Sequence, residues 1–368
     1  MNRSISFNNI NKTPVRTNSK LRVNDVTLND YEAPQIGEFN NYKITGNELD
    51  GVTIEELKKG KVFPINKKFI YGASEELVAQ GEFDFNKGFL INISKKAKVK
   101  EPIFIEFNMD KENNTLVDNI LIVAEEESEA NIIIKYNSKD DVNGYHNGVC
   151  KVFSKSNSKI QVVKVNLLND NTVNIDSNLS DISSYGNVDF VLVDLGGKVS
   201  VTNYHGDLTE DSSESNLSSI YFGGDKKIID MNYVSTHRGI RSRSEINTKG
   251  ALKGEASKIF RGTIDFKRGA SKSKGAEEEY CMLLSKKAKS RAVPLLLCEE
   301  DDVSGEHAAA SGKIDENKLF YLMSRGLSYN DARRIIIEGA FNPIIDKISS
   351  EETRSEILAK IKESLDNE

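Results

Sequence analysis

The densest group of side chains that could do chemistry is the segment Cys298–His307, with the sequence CEEDDVSGEH. Thiolates, imidazoles and carboxylates are the side chains that bind metal ions in proteins. The apolar run Val293–Leu297 predicts a strand that delivers Cys298 into this acidic turn. The same pattern is typical of a solvated turn behind a buried cysteine. Spacing alone therefore leaves both a metal site and a structural turn open, with burial expected for Cys298.

The remaining cysteines and histidines are dispersed along the chain. Cys150 and Cys281 lie in apolar, strand-like runs, so we expect both thiols to be buried. Three cysteines, odd in number and far apart, do not suit a disulfide framework. His146, His205 and His237 stand alone in polar stretches, which predicts surface positions. This use of cysteine indicates reduced thiols and a cytoplasmic protein.

Several classes of function lack their motifs. Gly-Lys pairs begin at Gly60, Gly197 and Gly312, but Val or Ile follows each, so none forms a Walker A loop. G-x-G-x-x-G, His-Glu-x-x-His, Cys-x-x-Cys and Gly-x-Ser-x-Gly are missing as well. A formal net charge of -6 argues against a general nucleic-acid binder. No apolar run is long enough to predict a membrane span.

One local stretch departs from the acidic balance of the chain. Between residues 253 and 291, Lys and Arg outnumber Asp and Glu. Such a stretch is typical of a solvated face, and a surface for an acidic partner or for nucleic acid is the alternative.

The elements that must position these residues form three regions, predicted at 1–75, 76–312 and 313–368. The middle region is a succession of short runs such as FLINI (residues 89–93) and NIIIKY (residues 131–136), many of them alternating apolar and polar residues. No helical stretch separates them, which excludes doubly wound α/β folds. The pattern predicts a mainly β protein and leaves a sandwich and a β-helix solenoid open.

The flanking regions have a different character. The first is polar and rich in Asn, with one short helix predicted over residues 52–59. The last has helical periodicity, with N-caps predicted at Asp315, Ser328 and Ser349, and with Pro343 just beyond the end of the middle helix. We expect a small helical domain whose apolar faces either pack on the β region or bind a partner.

The segment from Ile259 to Phe341, which includes GAEEEYCMLLSKKAKSRAVPLLLCEEDDVSGEHAAASGKID, resembles the C-terminal signature of the SufB/SufD family of the SUF iron–sulfur cluster assembly system. The resemblance is dense from His237 to Pro343 and weaker upstream. It implies a right-handed parallel β-helix between an N-terminal region of short elements and a C-terminal helical domain. SufB members have Glu directly after the histidine that matches His307, whereas this chain has Ala308, so it is most similar to SufD.

The resemblance implies a non-catalytic scaffold subunit. Family members pair as SufB and SufD through their β-helices, and each helical domain binds one SufC ATPase. The missing nucleotide site is thereby assigned to a partner chain. The implied SufC-docking surface lies within residues 315–343, with the side chains Phe320, Tyr321, Met323, Arg325, Arg333 and Phe341.

The resemblance also gives His307 a role, as the site of a nascent cluster. A neutral imidazole can bind iron near neutral pH, and Glu306 and Ser304 could orient it. A cluster needs several thiolates or equivalent ligands, so we expect a transient cluster at an interface completed by SufB. Cys298 and Cys281 are the candidate thiols. The isolated chain is expected to hold no cofactor, and flavin binding by the complex stays open.

Two alternatives remain. The chain could be a SufB-like cluster acceptor that works as a homodimer with SufC, in which case Cys281 or Cys298 must be reactive. It could also be a solenoid carbohydrate-active enzyme using the neighbouring carboxylates Asp301 and Asp302. The absence of tryptophan weighs against the latter.

Overall fold

The alternating runs of the middle region form the strands of a solenoid. Successive strands belong alternately to two sheets. The structure, a computed structural model, describes residues 3–17, 19–33, 35–59 and 70–366. Each sheet has nine strands, and nearly all neighbours within a sheet run parallel. The parallel β-helix is confirmed, because parallel strands in each sheet are joined through a strand of the other sheet and no helix is needed between them.

The first sheet contains, in spatial order, β20 (Ser304–Lys313), β18 (Lys274–Leu283), β16 (Arg243–Leu252), β14 (Glu214–Gly223), β12 (Asn187–Asp194), β10 (Lys159–Leu167), β8 (Glu129–Ser138), β6 (Ile103–Met109) and β3 (Tyr42–Thr45). The second contains β19 (Lys289–Cys298), β17 (Ser257–Phe266), β15 (Ile228–His237), β13 (Val199–Leu208), β11 (Val173–Ile182), β9 (Tyr145–Ser154), β7 (Thr115–Ala124), β5 (Lys87–Ile93) and β4 (Val52–Glu56). A separate hairpin pairs β1 (Arg3–Ile10) with β2 (Val26–Ala33). The helices are α1 (Glu75–Phe83), α2 (Glu316–Ser324), α3 (Tyr329–Ile345) and α4 (Glu351–Asp366).

The two ends of the solenoid differ. At the N-terminal end, β3 and β4 pair antiparallel with β6 and β5 and complete the two sheets. At the C-terminal end, β19 pairs with β17 and β20 pairs with β18, and no other described strand pairs with them. Their outer edges therefore present unpaired backbone groups, which is the usual site for adding another strand.

One turn of each coil repeats an uncommon backbone conformation. The turn that leads from the second sheet to the first contains a non-glycine residue with positive φ in seven consecutive coils: Lys96, Glu127, Asn157, Tyr185, Ser212, Arg241 and Lys272. The left-handed conformation costs an L-residue about 1–2 kcal/mol. In each case the N–H of that residue donates to a carbonyl of the next turn, as from Asn157 to Ser184. The stacked turns thus satisfy one another's backbone groups.

The outer faces of both sheets are covered. The C-terminal helices pack on the first sheet, where Ile337, Phe341 and Ile361 are fully buried together with outward residues such as Val163 and Val191. The N-terminal segment and α1 cover part of the second sheet through Ile10, Leu77 and further apolar residues. Burial of these faces explains why the flanking regions fold onto the solenoid.

The N-terminal segment is also held by a buried ion pair. The guanidinium of Arg261 contacts both carboxylate oxygens of Asp230 at 2.6 and 2.9 Å, and its Nε donates to the Val23 carbonyl at 2.6 Å. Asn11 donates to the same carboxylate at 2.7 Å. Arg261 and Asp230 are both fully buried, so each charge depends on its partner.

Three sequence predictions about the fold were wrong, and a fourth concerns Cys298 at the candidate site. Residues 52–56 form β4 and not a helix, because Val52 and Ile54 face the solenoid core and pair with β5. Pro343 lies inside α3, whose flanking residues Phe341 and Ile344 are held against the sheet. Tertiary packing outweighs local propensity at both places.

The third wrong prediction concerns the positions of the histidines. His146 and His237 were expected at the surface, but both are fully buried inside the solenoid. His146 contacts Asp118 at 2.6 Å, and His237 contacts Ser242 and Ser244 at 2.8 Å. Burial without a charged partner lowers the pKa of His237 to about 3.

Replacement of Arg261 by alanine should lower the free energy of unfolding by about 3–5 kcal/mol, because the Asp230 carboxylate is left buried and uncompensated. Urea unfolding followed by circular dichroism measures the loss. The matched control is Arg243→Ala, since Arg243 is exposed and its loss should cost less than about 0.5 kcal/mol. A similar small cost for both variants would contradict this account.

Candidate functional site

The open C-terminal end of the solenoid gathers most of the residues that were predicted to serve a cluster. His307, Glu306 and Ser304 all lie on the edge strand β20 and are exposed. His307 is on the inward-facing side of this strand, because it shares its position in the register with inward residues of the preceding coils. Its imidazole is exposed because no coil lies beyond it in the described chain.

That position forms a ladder through the first sheet. In register, one residue per coil follows the next from β6 to β20: Ile103, Ile132, Val162, Phe190, Leu217, Ile246, Glu277 and His307. The first six belong to the apolar interior of the solenoid. The ladder thus changes from aliphatic and aromatic side chains to a carboxyl group and an imidazole in the last two coils.

Glu277 is the residue that sequence reasoning missed. It is 3% exposed, and neither of its carboxyl oxygens has a hydrogen-bond partner. Burial raises its pKa to about 8, and the nearby Glu279 acts in the same direction against the effect of Lys258. On the facing strand, a Cβ added to Gly262 would lie 2.5 Å from Glu277 Cδ, so glycine makes room for this side chain.

The next inward position carries a buried ion pair. Lys258 Nζ contacts Glu279 Oε1 at 2.8 Å, and both residues are almost completely buried. Tyr221 donates its hydroxyl to the same oxygen at 2.7 Å. Burial also raises the pKa of the Cys281 thiol, which lies one inward position further along β18. Cys281 is therefore a protonated, enclosed thiol.

Cys298 does not follow its predicted burial. It is exposed at the end of β19, in register with Phe266 of the preceding coil. The reason is again the open end, since a further coil would be needed to cover it. Of the three cysteines, Cys298 alone is exposed, whereas Cys150 and Cys281 are buried as expected.

The acidic turn after Cys298 is tied to the coil before it. Glu299 accepts a hydrogen bond from Lys267 at 2.8 Å, which lowers the pKa of this carboxyl group. Glu300 accepts from the Gly269 amide and Asp302 from the Ser271 hydroxyl, each at 2.9 Å. Within the described part of the chain, no group of three His, Cys, Asp or Glu is placed to hold a metal ion.

The predicted docking residues divide into two groups. Phe320, Tyr321 and Met323 on α2 are 74%, 57% and 42% exposed, and Arg325 lies 5.4 Å from the Tyr321 ring. The other two predicted residues, Arg333 and Phe341, are buried within the chain at 7% and 0% exposure. Their burial gives them a packing role, and of the predicted docking residues only those on α2 and Arg325 are exposed. An exposed cluster of large apolar side chains is typical of an interaction site.

Comparisons with known proteins identify one family and several relatives. The family described as SUF system FeS cluster assembly, SufBD core domain, matches residues 107–340. The iron-sulfur cluster assembly protein SufD of Bacillus subtilis is 27% identical over 281 residues, which cover 75% of this chain and 64% of that protein.

Two further relatives show similar likeness. An iron-sulfur cluster assembly SufBD family protein of Staphylococcus epidermidis is 24% identical over 76% of this chain and 60% of its own length. One of Mycobacterium tuberculosis is 26% identical over 88% of this chain and 82% of its own length. The chain therefore spans less than two thirds of the length of the first two relatives. None of the helices in the described ranges is both long and apolar enough to cross a membrane.

Thiol labelling of the native chain should modify Cys298 alone, because burial keeps Cys150 and Cys281 protonated and out of reach. Reaction with a disulfide reagent at pH 8 should release one equivalent rapidly and the other two only after unfolding. Cys298→Ser should remove the rapid phase, whereas Cys281→Ser should leave it unchanged. Two rapid equivalents in the native protein would contradict the assignment.

Proposed function

Because the chain belongs to the SufBD family of iron–sulfur cluster assembly proteins, we propose that it is a SufD-type scaffold subunit that binds partners and presents one imidazole to a nascent cluster. The observation that carries this proposal is the open end of the solenoid. There, two unpaired strand edges flank an inward ladder that ends in Glu277 and His307.

SufB is the proposed partner at this end. The free edges of β19 and β20 can continue both sheets into another β-helix, since backbone N–H and C=O groups pair strands regardless of side chains. Such pairing would cover His307 and Cys298, the exposed residues of the last coil. It would place the imidazole at an interface where the partner supplies the ligands that this chain lacks.

SufC is the proposed partner of α2. This helix packs on α3 but leaves Phe320, Tyr321 and Met323 exposed, and the pairing of Arg325 with Tyr321 adds a polar rim. Aromatic side chains and Arg are the residue types that dominate binding energy at interfaces. In this proposal SufC hydrolyses ATP, and the chain has no catalytic group of its own and works in the cytoplasm.

The nascent cluster is cargo and not a resident cofactor. His307 would hold or release iron through a neutral imidazole, with Glu306 and Ser304 on the same exposed strand. We propose no resident cofactor in the isolated chain, and a flavin would belong to the assembled complex.

A second candidate function has one observation in its favour. Exposure of Cys298 at the same open end gives a homodimer a thiol on each side of the interface, as a SufB-like acceptor working with SufC requires. The partner chain recovered from cells separates the two candidates, because a heterodimer contains SufB and the alternative contains two copies of this chain.

Replacement of Phe320 by alanine should weaken SufC binding by about 2 kcal/mol, roughly 30-fold, because it removes the largest exposed apolar side chain of α2. Calorimetric titration of the chain with purified SufC measures the affinity. The control is Phe83→Ala, since Phe83 is 56% exposed on α1, which packs against the second sheet. Equal affinities for the two variants would rule out docking through α2.

Replacement of His307 by alanine should leave the complex intact and reduce cluster formation by at least about tenfold, because the partner's ligands lose the imidazole. Co-purification shows the complex, and absorbance of the reconstituted cluster under anaerobic conditions gives the yield. His205→Ala is the control, since His205 lies on β13, away from the open end. An unchanged yield in His307→Ala would refute the role of this residue.

A further inference from the structure

We propose that Glu277 and His307 together bind a ferrous ion at the open end of the solenoid, with the buried carboxylate as a second ligand beside the imidazole. This inference rests on the proposed function and extends it, since it assigns iron to this chain before any partner contributes. It follows from the register, the burial and the hydrogen bonding of Glu277.

The register brings the two side chains to one place. Glu277 on β18 and His307 on β20 are Cα partners in a parallel pair and point to the same side. Neighbouring strands lie about 4.8 Å apart, and metal–nitrogen and metal–oxygen bonds are about 2.0–2.2 Å long. Two adjacent side chains can therefore reach one ion between them, as stacked ligands on neighbouring strands.

The burial of Glu277 points to a cation. A buried polar group without a partner costs free energy, yet both carboxyl oxygens of Glu277 lack one. The nearest ammonium group, that of Lys258, contacts Glu279 at 2.8 Å and donates to the Arg291 carbonyl at 3.2 Å. The protein thus leaves a buried carboxyl group without a partner, in register with an exposed imidazole.

The position within the ladder makes this carboxyl group specific. The six preceding coils have Ile, Val, Phe or Leu at the same position, and an aliphatic residue at 277 would extend the apolar core. Glycine at 262, on the facing strand, leaves the space that the carboxyl group occupies. In this ladder, polar side chains therefore begin where the solenoid opens to solvent.

The ligand set selects the class of ion. One imidazole and one carboxylate suit divalent first-row metals such as Fe²⁺. No third His, Cys, Asp or Glu of the described chain joins them. The remaining coordination positions are thus left to water or to a partner, which suits an ion that must later move into a cluster.

Anaerobic titration of the purified full chain with Fe²⁺, followed by calorimetry, tests the inference without any partner. Glu277→Gln should keep the shape of the side chain and weaken Fe²⁺ binding about 10–100-fold, as should His307→Ala. The matched control is Glu278→Gln, because Glu278 is exposed on the same strand and contacts Lys249; its affinity should equal that of the wild type. Co²⁺ adds a second readout, since its visible absorption reports ligation by the imidazole.

A double-mutant cycle distinguishes a shared ion from two separate effects. If both residues bind one ion, the double variant Glu277→Gln with His307→Ala should weaken Fe²⁺ binding by less than the product of the two single effects. Wild-type affinity in Glu277→Gln, or the absence of saturable Fe²⁺ binding by the wild-type chain, would overturn the inference. Cluster yield in the complex tests the proposed function separately. If His307→Ala loses cluster yield while Glu277→Gln binds Fe²⁺ as the wild type does, the shared ion site is excluded and the scaffold role stands.

Discussion

The constraint on which the rest of the structure depends is the parallel hydrogen-bonded register between successive coils. Because each strand pairs residue by residue with the strand one coil away, every inward position becomes a column that runs along the solenoid axis. A column can change its chemistry only from coil to coil. The column that ends in Glu277 and His307 is apolar through six coils and becomes polar in the last two, at the open end of the solenoid.

The interior is not uniformly apolar. His146 contacts both Asp118 and Asn174 in the middle coils, where Lys164 also pairs with Asp176. These groups are enclosed and have hydrogen-bond partners. Such networks help to fix how one coil stacks on the next. Glu277 differs because its oxygens have no partner and its coil is the last but one.

Alternation predicted a mainly β protein, helix caps predicted the helical C-terminal region, and the family resemblance predicted the solenoid, because these are local signals. The sequence could not predict which strands lie next to one another. Whether further coils follow decides the burial of His146 and His237 and the exposure of Cys298. The polarity of the neighbouring residues in sequence carries no information about the number of coils. Glu277 was hidden within the run GAEEEYC, where three successive glutamates read as a solvated face. Only the register shows that the first and third point inward.

The two ends of the solenoid differ in the direction of their terminal strands. At the N-terminal end, β3 and β4 run antiparallel to the strands beside them, whereas β19 and β20 at the other end run parallel to theirs. A strand added to β20 in the parallel direction would repeat the slanted, evenly spaced hydrogen bonds of the coil before it, and an antiparallel strand would not. The direction of an added strand therefore decides whether the backbone geometry of the coils continues across a junction.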